Sequence, residues 1–263
     1  MNLYDAHNHL QDVRLAPWLT DVHDACIQAG ISGMVVNGTH EDDWSRVLDL
    51  GRLYPEVIPS LGLHPWWVPQ RSPRWLESLG KLVRDTPRCA LGEIGLDRWK
   101  PDLPYDGQED VFLAQLQLAA ELNRPVSIHC LKAWGRLLEL LENHDSPACG
   151  FLLHSYAGGE ALIDPLARLG GYFSLPGAYL REQKDRAWAL IHAIPPDRLL
   201  LETDAPDQAL PSARARYSLP DRLNHPANLA VVYAAAAETL KVSVEALAGQ
   251  LAQNIHRLFG GII

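Results

Sequence analysis

The fold is decided by residues 3–9, LYDAHNH, a short run that opens with apolar side chains and closes on two histidines. A doubly wound open sheet usually carries a glycine-rich phosphate loop after its first strand, whereas this run ends in His-Asn-His. Residues two apart in a strand face the same side, so the pattern predicts that Asp5, His7 and His9 share one face. A His-x-His pair is a natural start for a metal site, because neutral imidazole is a good ligand for divalent cations.

Seven further apolar runs follow, and amphipathic segments separate them. The predicted strands cover 3–9, 33–38, 57–63, 89–95, 125–130, 150–155, 171–175 and 198–204. The predicted helices lie near 18–29, 42–53, 73–84, 107–122, 133–143, 159–169, 184–194 and 227–240, with one more at about 243–259. Eight strand–helix pairs are the number that a closed barrel needs. The sequence therefore predicts an α/β fold, a single (β/α)8 TIM barrel over residues 1–263 with an extra C-terminal helix; a doubly wound open sheet is the alternative.

Ionisable side chains stand at the ends of several predicted strands. The fourth, fifth, sixth and eighth strands end on or near Glu93, His129, His154 and Asp204. Such groups are costly to bury unless they are satisfied, and catalytic residues of these barrels gather at the C-terminal strand ends. With His7 and His9 they make six candidate metal ligands, more than one tetrahedral ion uses, so we predict two divalent ions. A carboxylate has two oxygens, so Glu93 is the natural bridge, and Asp204 is the best candidate to accept the proton of the attacking water.

Composition limits the classes of function. The chain has 263 residues, 47% of them hydrophobic, and a net charge of −9, which argues against broad electrostatic binding to nucleic acid but allows local phosphate contacts. No stretch of about 18 uncharged apolar residues predicts a membrane span. The first ten residues lack the pattern of a secretory signal, and the four cysteines include no Cys-x-x-Cys pair. We therefore expect a cytoplasmic protein with reduced thiols and no membrane partner.

Eight short motifs, spread over almost the whole chain, carry a family resemblance. They are 5–10 (DAHNHL), 62–65 (GLHP), 92–97 (GEIGLD), 125–129 (PVSIH), 154–158 (HSYAG), 174–177 (SLPG), 201–206 (LETDAP) and 254–259 (NIHRLF). Together they resemble the TatD family of metal-dependent deoxyribonucleases, within the amidohydrolase-like barrels. The combination is far more specific than any one of these motifs alone.

The resemblance implies a hydrolase that uses two divalent ions, Zn, Mg, Mn or similar, on DNA that is single-stranded or has accessible 3′ ends. By the family pattern, the first ion would bind the side chains of His7, His9, Glu93 and Asp204. The second would bind Glu93, His129 and His154. His64 would line the substrate pocket near a phosphate.

The rim of the predicted pocket departs from the family pattern. Arg98-Trp99-Lys100 stands where many relatives have a run of aromatic residues, and Asp207-Gln208 stands where apolar or aromatic residues are common. The substrate therefore stays open between DNA and a small-molecule amide, lactone or ester, because one barrel hosts many chemistries. A third hypothesis is a barrel that is retained as a binding or scaffold protein, and the intact set of candidate metal ligands argues against it.

Several other residues have two interpretations at this stage. Trp66 and Trp67 are expected to pack on the barrel rim, with base stacking as the alternative. Asp5 and Glu202 could orient ligand imidazoles or make purely structural hydrogen bonds, and Asp97 is expected to be structural. Four basic residues near the predicted catalytic face are either phosphate contacts or solvated charges: Arg181, Lys184, Arg214 and Arg216.

Overall fold

The computed structural model describes residues 1–262, in which eight strands alternate with helices. The strands are β1 (Leu3–Asn8), β2 (Ile31–Asn37), β3 (Val57–Leu61), β4 (Ala90–Asp97), β5 (Val126–Leu131), β6 (Phe151–Leu153), β7 (Gly171–Pro176) and β8 (Leu199–Glu202). The α-helices are α1 (Leu19–Gln28), α2 (Glu41–Leu53), α3 (Trp75–Asp85), α4 (Gln108–Leu122), α5 (Trp134–Asn143), α6 (Ile163–Arg168), α7 (Asp185–Ala189), α8 (Leu229–Leu240) and α9 (Val244–Phe259). Within these residues, no helix combines the length and the apolar character that crossing a bilayer requires.

The strands follow one another around a parallel barrel in chain order, from β1 to β8. Backbone hydrogen bonds join the two ends of the sheet: the amide of His9 donates to the carbonyl of Ala205 at 2.7 Å, and that of Asp204 donates to the carbonyl of His7 at 3.0 Å. The prediction of a (β/α)8 barrel with an extra C-terminal helix is confirmed, and the open doubly wound sheet is excluded.

The sixth and eighth strands each end two residues earlier than predicted because the chain turns at or next to their candidate ligands, His154 and Asp204. The φ angles of Ser155 and Asp204 are 45° and 52°, in the left-handed region, so the extended ladder cannot continue through them. β6 therefore ends at Leu153 and β8 at Glu202. The side chains that follow are directed over the end of the barrel instead of along its wall.

The N-terminal end of the barrel is closed by α9. An apolar cluster inside the barrel takes one residue from each of seven strands and continues into Ile255, Leu258, Phe259 and Ile262. Asn254 of α9 donates from Nδ2 to the carbonyls of Pro196 and Leu199, both at 2.8 Å, which fixes the helix at the start of β8. This end of the barrel is sealed, so a ligand can enter only from the other end.

The prediction that Asp5 shares a face with His7 and His9 is wrong. The pairing register of β1 with β2 shifts between Asp5 and Asn8, which breaks the simple two-residue alternation. The Asp5 carboxylate accepts from the amide and hydroxyl of Thr203 at 2.9 and 2.5 Å and from Asn8 Nδ2 at 3.1 Å. Asp5 is fully buried, and these hydrogen bonds tie β1 to the end of β8 instead of directing the carboxylate to the candidate ligands.

Candidate metal centre

All six predicted ligands converge at the C-terminal end of the barrel. Five of them line a cavity of about 900 Å³ that opens at this end, and His7 lies behind them, with its Nε2 3.4 Å from Glu93 Oε2. His7 is fully buried and Glu93 is 2% exposed, while the side chain of His9 reaches 13% exposure at the cavity wall. Residues that are far apart in sequence therefore form one cluster, as their positions at the strand ends predict.

The first group of donors surrounds one point between β1, β4 and the turn after β8. His9 Nε2 lies 3.3 Å from Glu93 Oε2 and 3.3 Å from Asp204 Oδ1, and His7 Nε2 lies 3.4 and 3.6 Å from the same two oxygens. The two imidazole nitrogens are 3.3 Å apart. Tetrahedral ligands at ~2.1 Å from an ion are ~3.4 Å from each other. The donor atoms of His7, His9 and Asp204 all lie within 4.8 Å of one another, so these three side chains could hold a divalent ion, with Glu93 Oε2 beside them.

The second group of donors surrounds the other oxygen of the same carboxylate. Glu93 Oε1 lies 2.8 Å from His154 Nε2 and 3.0 Å from His129 Nδ1, and these two nitrogens are 3.4 Å apart. His64 Nε2 is also close, at 3.3 Å from Glu93 Oε1. The two oxygens of Glu93 thus face two different sets of imidazoles.

The backbone at Gly92 brings Glu93 into this position. Gly92 has a φ of 154°, and a Cβ there would lie 2.7 Å from the side chain of Ser127 and 2.9 Å from those of Asn37 and Ser60. Only glycine fits this space, so the motif 92–97 needs a glycine directly before its glutamate.

Hydrogen bonds on the far side of each ring decide which nitrogen is free. His9 Nδ1 donates to the Asn37 carbonyl at 2.8 Å, and His129 Nε2 donates to Asp97 Oδ2 at 3.1 Å, which leaves their other nitrogens with a lone pair in the site. His64 has the opposite arrangement, because its Nδ1 accepts from the amide of Trp66 at 3.1 Å. In the neutral ring the proton of His64 is then on Nε2, which makes this atom a donor to a ligand and a poor metal ligand.

Glu202, whose role was open at the sequence level, and Asp97, which was expected to be structural, both lie next to a candidate ligand imidazole. Glu202 Oε1 accepts from the amide and hydroxyl of Ser155 at 2.8 and 2.6 Å and lies 3.7 Å from His154 Nδ1, a nitrogen with no hydrogen-bond partner within residues 1–262. Asp97 does more than hold its own loop. It fixes the ring of His129 through Oδ2, and its Oδ1 accepts from the amides of Trp99 and Lys100 at 2.7 and 3.2 Å.

The cluster stabilises charged forms of its members. Burial alone would raise the pKa of Glu93, but the neighbouring His154 and His64 and hydrogen bonds hold it well below its ordinary value. Burial acts in the same direction on Asp204, and the hydrogen bond to His9 with the nearby imidazoles lowers its pKa to about 2. Burial lowers the pKa of His64 to about 4, so this ring is neutral near pH 7. Ionised carboxylates suit a site for divalent cations, and a bound cation would displace the protons from the imidazoles, because only the neutral ring is a ligand.

Some residues at the site carry no signal in the sequence. Gln208 donates from Nε2 to Asp204 Oδ2 at 3.1 Å and to Ser155 Oγ at 2.6 Å, and it lies in a loop with no periodicity to identify it. His40, without an assigned role at the sequence level, lines the cavity and stacks on Trp67.

Of the four basic candidates, Lys184 lines the cavity and the other three do not. Trp66 and Trp67 also line it, and each is 37% exposed, so neither is simply packed on the rim.

Comparison with known proteins identifies the family. A sequence model described as TatD related DNase matches residues 4–260. The 3′-5′ ssDNA/RNA exonuclease TatD of Edwardsiella piscicida is 36% identical over 185 residues, which are 68% of this chain and 70% of that protein. The uncharacterized metal-dependent hydrolase YjjV of Escherichia coli K12 is 30% identical over 234 residues, 88% of each chain.

The fold agrees with this relationship. The crystal structure of YjjV, a TatD homologue from Escherichia coli K12, is similar with a TM-score of 0.90 and 28% identity over 98% of both chains. Because the family match covers nearly the whole barrel, ligand cluster included, the chain belongs to the TatD related DNase family of metal-dependent hydrolases.

Proposed function

We propose that this chain removes nucleotides from the 3′ end of single-stranded DNA by hydrolysing phosphodiester bonds with two divalent ions. The observation that carries the proposal is the division of the Glu93 carboxylate between two sets of imidazole nitrogens. The polarity and the single-stranded substrate rest on the name of the Edwardsiella relative, a 3′-5′ ssDNA/RNA exonuclease. We further propose that residues 1–263 act as one domain and, since the four cysteines are free, that it works in the cytoplasm.

We assign side chains to the two ions by the nitrogen and oxygen atoms that they present to the cluster. His7, His9, Glu93 and Asp204 would hold the first ion, and Glu93, His129 and His154 the second. Ions held there would supply an activated water and would neutralise charge on the phosphoryl group during in-line displacement.

Two side chains act on the substrate side of the cluster. His64 would donate from Nε2 to a phosphate oxygen, because its Nδ1 is already used by the amide of Trp66. Asp204 is ionised at neutral pH and can accept the proton of the attacking water. Gln208 keeps the second oxygen of Asp204 in a fixed direction through the hydrogen bond to Oδ2.

The test is a nuclease assay with the purified protein after analysis of its metal content. Single-stranded and duplex oligonucleotides with a 5′ label are incubated with Mg²⁺, Mn²⁺, Zn²⁺ or Co²⁺, and Glu93→Gln protein serves as the control for a contaminating nuclease. We expect metal-dependent shortening of the single strand by one nucleotide at a time, with the label retained on the ladder. Turnover of a small ester or amide, without cleavage of any oligonucleotide, would contradict the proposal.

A further inference from the structure

Exposed tryptophans are concentrated around the mouth of the cavity. Trp66 and Trp67 are each 37% exposed and Trp99 is 54% exposed, and all three line the cavity. Trp18 is similarly exposed, at 40%, but lies outside it. Large aromatic side chains left in solvent at one place mark a surface for a ligand. We name Trp66, Trp67 and Trp99 the aromatic rim.

The three rings of the aromatic rim are held in different ways. Trp66 donates from Nε1 to Asp97 Oδ2 at 2.7 Å, and Lys100 Nζ lies 4.2 Å from the centre of its ring, so this ring is fixed and partly covered. Trp67 stacks one face on His40, with ring centres 4.1 Å apart and planes 15° apart. Trp67 is still 37% exposed beside this stack, and Trp99, which is 54% exposed, stacks on no aromatic side chain within residues 1–262, so both rings present surface to a flat ligand.

The aromatic rim begins next to the metal ligands and extends outward. The ring of Trp66 is 6.5 Å from that of His129, centre to centre. Trp67 follows Trp66 directly in the segment after β3, and the amide of Trp99, after β4, donates to Asp97, the residue that also accepts from Trp66 Nε1. A ligand with its reacting group at Glu93 contacts these rings only if it extends along the cavity that Glu93 and the three tryptophans line.

The charges on the cavity wall suit a polyanion. Arg46 and Lys184 line the cavity, and within residues 1–262 neither has a carboxylate oxygen within 4.0 Å. Arg14 differs, because Asp12 and Asp207 hold its guanidinium at 2.7 and 2.8 Å. Two cations without a carboxylate partner, in a cavity that exposed tryptophans also line, match a strand of phosphates with unpaired bases, in a protein whose net charge is −9.

We propose that Trp67 and Trp99 are stacking platforms for bases of single-stranded DNA that lie beyond the two nucleotides joined by the scissile bond. This inference rests on the proposed function and adds subsites to it. Base-paired strands cannot offer free base faces to these rings, so the aromatic rim selects unpaired ends. Trp66 serves as the fixed support between the two platforms.

The experiment measures kcat/KM for 5′-labelled (dT)2, (dT)4 and (dT)8 with the divalent ion that supports activity in the nuclease assay. In Trp67→Ala and Trp99→Ala proteins we expect about a tenfold loss or more on (dT)4 and (dT)8, as for removal of a base-stacking aromatic ring, and no change on (dT)2. Trp18→Ala is the matched control, an exposed tryptophan outside the cavity, and should behave as the wild type on every length. A (dT)4 with an abasic third nucleotide from the 3′ end should lose the same factor with wild-type protein. It should lose no further activity with the variant whose ring contacts that base.

The outcomes distinguish the proposed stacking subsites from the proposed nuclease activity. Cleavage by wild-type protein with equal losses on all lengths, or with no loss in either variant, would overturn the stacking subsites and leave the nuclease proposal intact. Additive losses from the abasic nucleotide and from both tryptophan variants would also overturn them. No cleavage of any oligonucleotide by wild-type protein with any of the four ions would overturn both.

Discussion

The two ends of this barrel are made by the same eight strands but contain opposite chemistry. At the C-terminal end, carboxylates and imidazoles lie within 2.8–3.6 Å of each other, and non-glycine residues such as Ser155 and Asp204 adopt left-handed backbone angles. At the N-terminal end, Leu258 and Phe259 of α9 are 1% and 0% exposed against an apolar interior.

This difference indicates that the residues on which activity depends lie at one end of the barrel, and that residues which stabilise the fold by apolar burial lie at the other. Burying ionisable groups and holding non-glycine residues at left-handed backbone angles are costly at the C-terminal end, and both persist because the surrounding structure holds them. The closed N-terminal end supplies apolar burial without any contact to the ligands. Substitutions at the two ends should therefore affect different measurements, and the following predictions test this division in order of effect.

The largest effect is expected for Glu93→Gln. Loss of the shared charge removes several kcal/mol of electrostatic stabilisation, so turnover should fall by ~10³-fold or more and bound metal should fall with it. Elemental analysis and kcat measure these two quantities, and circular dichroism should show an intact fold. The matched control, Glu77→Gln on the exposed face of α3, should change neither. A Glu93→Gln protein with full metal content and turnover would remove the bridging role.

The next effect is expected at the opposite end, for Phe259→Ala. Removing a fully buried phenyl ring should lower the free energy of unfolding by about 3 kcal/mol, measured by urea denaturation. The kcat should stay at the wild-type value under conditions where the protein is folded. Leu53→Ala, at a leucine that is 63% exposed, is the control for both measurements. A fall in the kcat of folded Phe259→Ala protein would show that the two ends are coupled.

A smaller effect on activity is expected for Asp204→Asn. An amide cannot accept the proton of the attacking water, so kcat should fall by ~10²-fold or more while the fold is retained. Assay at saturating metal separates this effect from weaker ion binding. An unchanged kcat would exclude Asp204 as the proton acceptor.

The smallest effect is expected for the pH dependence of stability, through His225, a buried histidine that is not one of the candidate metal ligands. Burial lowers the pKa of His225 to about 4, below its ordinary 6.5, so the folded protein favours the neutral ring. The contribution of the neutral His225 ring to the free energy of unfolding is fully present above pH 6.5. It is lost as the pH drops towards 4, because the unfolded chain then binds a proton that the folded chain does not. His225→Asn keeps a side-chain acceptor for the amide of Ala227, and its Tm should fall less than that of the wild type between pH 7 and 5. Parallel profiles of Tm against pH for the wild type and His225→Asn would contradict the role of His225 in the pH dependence.

The ligand cluster was predictable because a single rule produces it. His129 and Glu93 are ionisable residues at the ends of apolar strands, and parallel strands in a barrel bring all such ends to one rim. The orientation of Asp5 was not predictable, because the rule of alternation fails where the register of β1 shifts. The same limit applies to Gln208 and to the stack of His40 on Trp67, since loop contacts have no period in the sequence.

The backbone bonds that join β1 to β8 have a consequence for the order of synthesis. The amide of His9 and the carbonyl of His7 pair with Ala205 and Asp204, so β1 remains without this neighbour until a segment almost 200 residues later has been synthesised. A nascent chain that has not yet reached Asp204 has an open sheet edge and an incomplete first ligand group. Translation products that stop before Asp204 therefore cannot carry this hydrolytic centre, which is complete only after the segment that follows β8 has left the ribosome.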